Sequence, residues 1–492
     1  MPKQTSRAHS IDLFAIAHQS MIEEGFLPDF SAVVKIEVDS LARNPPKLSA
    51  PAVRDMRALL WSSIDDSKSR DLDQVEYAEA LSNGDTRLLI GIADVDTFVP
   101  RLSATDAHAV ENCTSVYAGV KTFPMLPEQL STDLTSLVAG EDRLAVVTEM
   151  VVAPDGTVKT TDFYRAIVNN HAKLAYESVG DWLDGRASVP EGIKNVAGLE
   201  AQIRLQNETA NRLGELRRQK GAIELGTIQA TPVVDDRGKV KELKVIEQNS
   251  ARDLIANFMI AANVEMAEFL EAKGGPSLRR VVRTPKYWPR IVEIAAELGE
   301  KLPAMPDSRA LADFLARRKK ADPLHFPDLS LAVVKSLGPG EYTVQVPGED
   351  GEGHFGLAVQ DYTHSTAPNR RYADVVTQRL VKAALAGGPT PYTVTELKRI
   401  AEQCTDREDA ARKVERKMRK VAAAVLLKDR IGDEFDAIVT GVTPKGTFAR
   451  VLKPPVDGRV TRGEQGMRVG DRVRVRLLST DPERGFIDFA RA

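Results

Sequence analysis

The stretch Ser63-Ile64-Asp65-Asp66-Ser67-Lys68-Ser69-Arg70-Asp71-Leu72-Asp73-Gln74 sets the strongest constraint on this chain. It carries four carboxylates and leads straight into a β-hairpin signal. Carboxylates this dense raise one another's pKa unless cations neutralise them. Hard divalent cations take oxygen ligands, so a metal site is one reading and a solvated acidic loop is the other. Val75 to Leu81 reads as a strand, Ser82-Asn83-Gly84-Asp85 as a turn and Arg87 to Asp94 as the return strand, because Asn-Gly accepts positive φ. A two-residue loop at Asn83-Gly84 sets Asp73 opposite Asp94 and Asp71 opposite Asp96. Like charges facing across a ladder are destabilising, which favours a compensating cation.

The chain has 492 residues, enough for two to four domains. A hydrophobic fraction of 42% with 28% charged residues is that of a globular protein. The net charge of −3 excludes a general polycation, so nucleic-acid binding has to come from local basic patches. Cys113 and Cys404, the only cysteines, suit a reducing cytoplasm and exclude a disulfide framework. No apolar run reaches the length of a membrane span, and the N-terminus has no apolar signal core. The expectation is a cytoplasmic protein without membrane partners.

Helical spacing over 11–24 and an apolar segment over 30–41 predict a small N-terminal unit. It is either helix-turn-helix-like or a helical hairpin packed on the next domain. Strand-like runs follow over 144–152 and 158–167, and again around the turn Asp235-Asp236-Arg237-Gly238. Helices are expected over 195–220 and 251–270, and in pieces through 275–335.

A second dense stretch is Thr366-Ala367-Pro368-Asn369-Arg370-Arg371-Tyr372-Ala373-Asp374. Pro368 suits a first helical turn. Arg370 and Arg371 then stand near a helix N-terminus and offer bidentate grips for phosphate oxygens. Residues 391–430 read as one long helix with a basic core, Arg412 to Lys420. From Gly432 onward, short strands between Gly, Pro and Asp turns predict a small β-barrel. Its Phe435, Phe448, Phe486 and Phe489 are core residues or base-stacking platforms, set among Lys445, Arg450 and Arg462.

Together these residues resemble the ribonuclease II family. Asp65, Asp71 and Asp73 match the opening aspartate motif of its catalytic domain. Ile92-Ala93-Asp94-Val95, Pro124 to Pro127, Leu254-Ile255-x-x-Phe258-Met259 and Thr366 to Asp374 resemble further motifs in the family's order. Gly441 to Phe448 resembles part of an S1 domain. The resemblance implies an α+β RNB-type catalytic domain over 51–390, closed by a basic helical segment over 391–431. A helical, helix-turn-helix-like module precedes it over 1–50, and an S1/OB-type barrel follows over 432–492.

The activity the resemblance implies is a processive, Mg²⁺-dependent 3′→5′ exoribonuclease. It would degrade single-stranded RNA to nucleoside 5′-monophosphates as a monomer, with Mn²⁺ as a substitute ion. Asp65, Asp71, Asp73 and Gln74 would be the metal set, with Asp71, Asp73 and Arg370 catalytic. Tyr117, Tyr176, Arg370, Arg371, Glu415, Lys445 and Phe448 would contact RNA.

Gln74 stands where the family has its fourth Asp, bringing an oxygen but no charge. Asp66 is the candidate to compensate. The alternative is a silent, RNA-binding member. Leu225 falls at the second stacking aromatic, and Ala256 and Asn257 replace two glutamates. About fifty residues leave no room for two cold-shock barrels, which implies a more open RNA entrance that structured RNA can approach.

Overall fold

The computed structural model describes residues 11–49, 52–226, 230–235, 240–349 and 351–492. The expected turn at 236–238 lies outside the described residues. The central sheet comprises β1 (Val53–Asp55), β2 (Trp61–Asp65), β3 (Gln74–Ala80), β4 (Thr86–Ala93), β5 (Asp142–Val152) and β6 (Val158–Ala175). The long β6 pairs antiparallel with β5 over its first two thirds and parallel with β2 at its end, so the sheet returns on itself.

Strand residues two apart share a face, and both faces of this sheet are covered. Trp61, Val75, Leu89 and Val147 pack in one core with the helix α5 (Tyr372–Leu385). Ile64, Ala78, Leu88, Ile90 and Ile92 pack in another with α3 (Leu199–Gln219) and α4 (Ser250–Ala272). Three helices, Trp288–Glu297, Ser308–Ala321 and Phe326–Leu337, form a separate apolar cluster between two short paired strands, Ser277–Val281 and Glu341–Gln345.

The N-terminal helices α1 (Leu13–Glu23) and α2 (Ala32–Arg43) act as separate clasps on this body, without a helix-turn-helix core of their own. Leu13, Ala17 and Met21 pack with Val414 and Met418 of α6 (Val394–Leu427). Val34 and Val38 enter the core that holds Trp61 and Leu397. Glu37 adds a polar fastening by accepting from the backbone N–H groups of Ala104 and Thr105 at 2.8 and 3.2 Å.

The C-terminal strands β7 (Glu434–Thr443), β8 (Gly446–Val451), β9 (Val456–Arg462), β10 (Arg472–Asp481) and β11 (Phe486–Arg491) close into a five-stranded barrel. Phe435 and Phe489 are core residues, Phe448 is half-buried and Phe486 is exposed. Arg450 is buried and paired at 2.6 Å with Asp328 of the helical insert, so it is an interdomain contact and no free cation.

The β3–β4 register departs from the expected one. Gln74 faces Ile92 and Val75 faces Gly91, one step away from the two-residue-loop pairing. The loop holds three residues, Ser82 to Gly84, closed by the Leu81 N–H to Asp85 O bond of 2.9 Å, with Gly84 at φ +86°. A third loop residue in the left-handed region is a common hairpin solution, and it moves the partner of every strand residue. Asp73 therefore stands opposite Ala93, whose N–H donates to its carbonyl at 2.9 Å.

Asp94 and Asp96 instead belong to a structural ion network. Asp94 meets Arg165 at 2.7 Å and Lys382 at 2.9 Å, and Asp96 meets Arg379 at 2.7 Å. Burial pushes the Asp94 carboxyl up, but Lys382 and Arg165 outweigh it and hold it below the ordinary range. Removing one member of a buried pair leaves charge uncompensated. Asp94→Ala is accordingly expected to lower stability by roughly 3 kcal/mol in urea unfolding.

Candidate active site

One cavity of about 270 Å³ is lined by Asp65, Asp66, Asp71, Gln74, Tyr117, Tyr176, Ile255, Met259, Thr366 and Arg370, among others. Six of the residues singled out in the sequence therefore meet in one place: Asp65, Asp71, Gln74, Tyr117, Tyr176 and Arg370. Asp65 ends β2, and Gln74 begins β3. The loop between them returns Asp71 to the same mouth. Ser69 Oγ donates to Asp65 Oδ1 at 3.0 Å, and the Asp66 N–H donates to the same oxygen at 2.6 Å.

Asp73 lies beneath the cavity, 2% exposed, and ties β3 to the distant 366–374 segment. Its Oδ1 accepts from the Asn369 N–H at 3.0 Å and its Oδ2 from Arg370 Nε at 3.2 Å. Burial raises the Asp73 carboxyl to about 7, against the lowering effects of Arg370 and the Asn369 N–H. The Arg370 side chain is 47% exposed. The neighbouring carboxylates of Asp71 and Asp374 add to the rise.

The backbone of Arg370 is fixed in turn, because its carbonyl accepts from the Ser115 N–H at 3.0 Å. Two residues on, the Tyr117 N–H donates to Glu415 Oε1 of α6 at 3.1 Å. Arginine, tyrosine and glutamate are thus wired into one unit. Burial raises the Glu415 carboxyl.

Other expected members stand elsewhere. Pro368 opens a single turn, closed by the Arg371 N–H to Ala367 O bond of 3.0 Å, but Arg371 is extended (φ −137°), so that turn does not run on into α5. Arg371 is the residue preceding α5 and grips Asp374 through two bonds of 2.8 and 2.7 Å, and it is not among the residues that line the cavity. Lys445 and Phe448 belong to the barrel and do not line the cavity. Leu225 packs in the cluster around Trp288 and Phe326. Asp66 does line the cavity, but it is paired with Arg252 at 2.9 Å, and Arg252 also lies 4.3 Å over the Tyr176 ring. Its charge is engaged there.

Much of the basic run on α6 is engaged as well. Lys417 meets Glu23 at 2.9 Å, Lys413 meets Glu24 at 3.6 Å, and Arg412 meets Asp409 at 3.0 Å.

Among the described residues, no three Asp, Glu, His or Cys side chains are packed closely enough to cage an ion. The donor chemistry nonetheless fits a hard cation. Asp65 and Asp71 bring carboxylate oxygens to the cavity. Gln74 Nε2 donates to Ile64 O at 3.3 Å, which leaves its Oε1 as the atom available to the cavity. Burial raises the Asp65 carboxyl, a condition that a cation relieves. Mg²⁺ usually keeps several waters and completes its shell with substrate phosphates, so an incomplete protein cage suits it.

Comparison with known proteins agrees with this geometry. The RNB domain family matches residues 53–387, and the RNase II-type exonuclease C-terminal S1 domain matches 433–492. The chain belongs to the RNB family. This RNB protein is 28% identical to Ribonuclease R 1 of Lactococcus lactis over 94% of its own length and 59% of the relative's. It is 30% identical to Ribonuclease R of Thermotoga maritima over 98% of its own length and 70% of the relative's. Mycoplasma genitalium RNase R, solved in complex with double-stranded RNA, superposes with a TM-score of 0.85 at 25% identity, over 98% of this chain and 83% of that one. The chain thus spans about three fifths of the first of these relatives.

The site's electrostatics give a pH signature. With Asp73 raised to about 7, the folded protein retains a proton that the unfolded chain releases. In metal-free protein this stabilisation is complete below about pH 4 and is lost as the pH rises to about 7. Thermal unfolding in EDTA should show that decline, and Asp73→Asn should flatten it. Equal slopes in the two proteins would contradict the assignment.

Proposed function

We propose that this chain is a divalent-metal-dependent hydrolase that shortens single-stranded RNA from its 3′ end and releases nucleoside 5′-monophosphates. The observation that carries the reading is the convergence of Asp65, Asp71 and Gln74 with Arg370 on one cavity between two tyrosines. Asp65, Asp71 and the Gln74 amide oxygen would hold Mg²⁺, with Mn²⁺ as a substitute. The bound ion supplies an activated water and neutralises charge on the leaving oxygen.

The protein's own residues do the rest. Arg370 is oriented through its Nε by Asp73, which leaves its terminal nitrogens for the non-bridging oxygens of the scissile phosphate, where charge builds up. Tyr117 and Tyr176 offer ring faces to the terminal nucleotides, contacts that tolerate any base. Glu415 fixes the backbone of Tyr117 and acts as a positioning residue. The ribose 2′-hydroxyl is the group by which RNA is told from DNA. The barrel, with Lys445 exposed at its β7–β8 turn and Phe448 half-buried, is a further RNA contact. A single chain contains all of these parts.

A silent, RNA-holding member is the second reading, and it is favoured by one observation: Gln74 brings no charge to the metal set. Digestion of 5′-labelled single-stranded RNA separates the two. Mg²⁺ should give progressive shortening that EDTA abolishes, and Asp73→Asn and Arg370→Ala should each slow it by about 100-fold or more. Retention of RNA without shortening would establish the second reading.

Structured RNA is proposed as a substrate too, supported by the likeness to the Mycoplasma protein solved with double-stranded RNA. A hairpin with a 3′ overhang should be shortened to within a few nucleotides of its stem or through it. A stop many nucleotides earlier would count against an open entrance.

A further inference from the structure

Gln74 leaves the metal set one charge short, and the next residue on the same face of β3 is an acid. Glu76 shares a face with Gln74 because strand residues two apart do so. It is fully buried, with Ser62 of β2 and Ile90 of β4 as its cross-strand neighbours. Neither of its carboxylate oxygens has a hydrogen-bond partner. The buried Ser62 Oγ and Gln206 Oε1 also have none. Gln206 reaches this point from α3, where its Nε2 donates to the Glu76 carbonyl at 3.4 Å. Three elements therefore bring four unpartnered oxygens into one part of the core.

Asp65, a lining residue of the cavity, ends β2 three residues beyond Ser62, the cross-strand partner of Glu76. No cation among the described residues pairs with Glu76. An acid buried among Ile64, Ile90 and Ile92 without any donor is a costly arrangement. Hydrophobic residues of similar volume would be at least as stable in its place. A group like this calls for a ligand.

We propose that Glu76 supplies the negative charge missing at Gln74, completing from behind a divalent-cation site shared with Asp65, with Ser62 and Gln206 holding it through ordered water. The proposal rests on the metal-dependent reading above and extends it by relocating one carboxylate two residues along the strand. Buried water bridging otherwise unsatisfied polar groups is a normal part of protein interiors, and outer-shell carboxylates commonly tune metal affinity.

The test is Mn²⁺ titration of the whole chain without RNA, following the free-ion signal by electron paramagnetic resonance, alongside RNA digestion. Glu76→Gln is expected to weaken Mn²⁺ binding by about 10- to 100-fold, and Gln74→Asp added to that variant to restore it. Gln74→Asp alone should tighten binding by less than about threefold, because the charge is already present. A Glu76→Gln protein that titrates like wild type overturns the proposal, the more clearly if its thermal midpoint rises as for a neutral buried acid. Should Glu76→Gln not fold, Gln74→Asp alone decides: tightening of about tenfold or more means that the site lacked its charge. Wild type that shortens RNA while these outcomes fail leaves the functional reading intact and removes only the role of Glu76. Wild type that neither binds Mn²⁺ nor shortens RNA removes both.

Discussion

The bridge from Asp73 to Asn369 and Arg370 joins residues 296 and 297 positions apart and defines the site. On one side it continues into β3 and the two cores that cover the sheet. On the other it continues through the 367–371 turn to Ser115, Tyr117 and Glu415. A carboxylate in such a place is strained electrostatically, since burial opposes its ionisation and its arginine is half in water. The strain is confined to the cavity floor, where a cation would relieve it. Glu76 apart, the other buried acids of the region have partners: Asp94 and Asp96 are met by Lys382, Arg165 and Arg379, and Asp374 by Arg371.

The acidic stretch and the Thr366–Asp374 segment were legible in the sequence because their chemistry is local and dense. Their partnership was legible only through resemblance, since nothing in a single chain links positions that far apart. The hairpin itself followed from Asn83-Gly84, but its register did not. Two- and three-residue loops share that dipeptide, and the choice between them decides whether Asp94 faces the site or the ion network. Arg371 illustrates a related limit. Two adjacent arginines look equivalent in sequence, yet the first turn of α5 gives one of them a carboxylate three residues on.

Glu76 was passed over for a physical reason. In Gln74-Val75-Glu76-Tyr77, polar and apolar residues alternate, the usual mark of a strand with one wet face. Here both faces are covered, so the polar positions point into a core. The strands Val456–Arg462, Ser277–Val281 and Glu341–Gln345 were missed as well. The first is rich in charge and interrupted by Gly458, the second carries Arg-Arg in its middle, and the third alternates over only five residues between Gly- and Pro-rich stretches. The N-terminal helices were legible as helices, but their apolar stripes could not reveal that each meets a different part of the body.

The ion pairs along α6 bear on how this surface meets a polyanion. A lysine or arginine gains affinity for a nucleic acid largely because the phosphates it replaces as partner shed their condensed counterions. Lys413, Lys417 and Arg412 already have carboxylates beside them, from Glu24, Glu23 and Asp409. An RNA strand arriving there would have to compete with the end of α1 for the two lysines and with α6 itself for Arg412. The ionic-strength dependence of binding should therefore be shallower than a count of basic residues on the helix suggests. By the same token, the end of α1 sets two protein acids, Glu23 and Glu24, where a ligand's phosphates would otherwise meet the lysines.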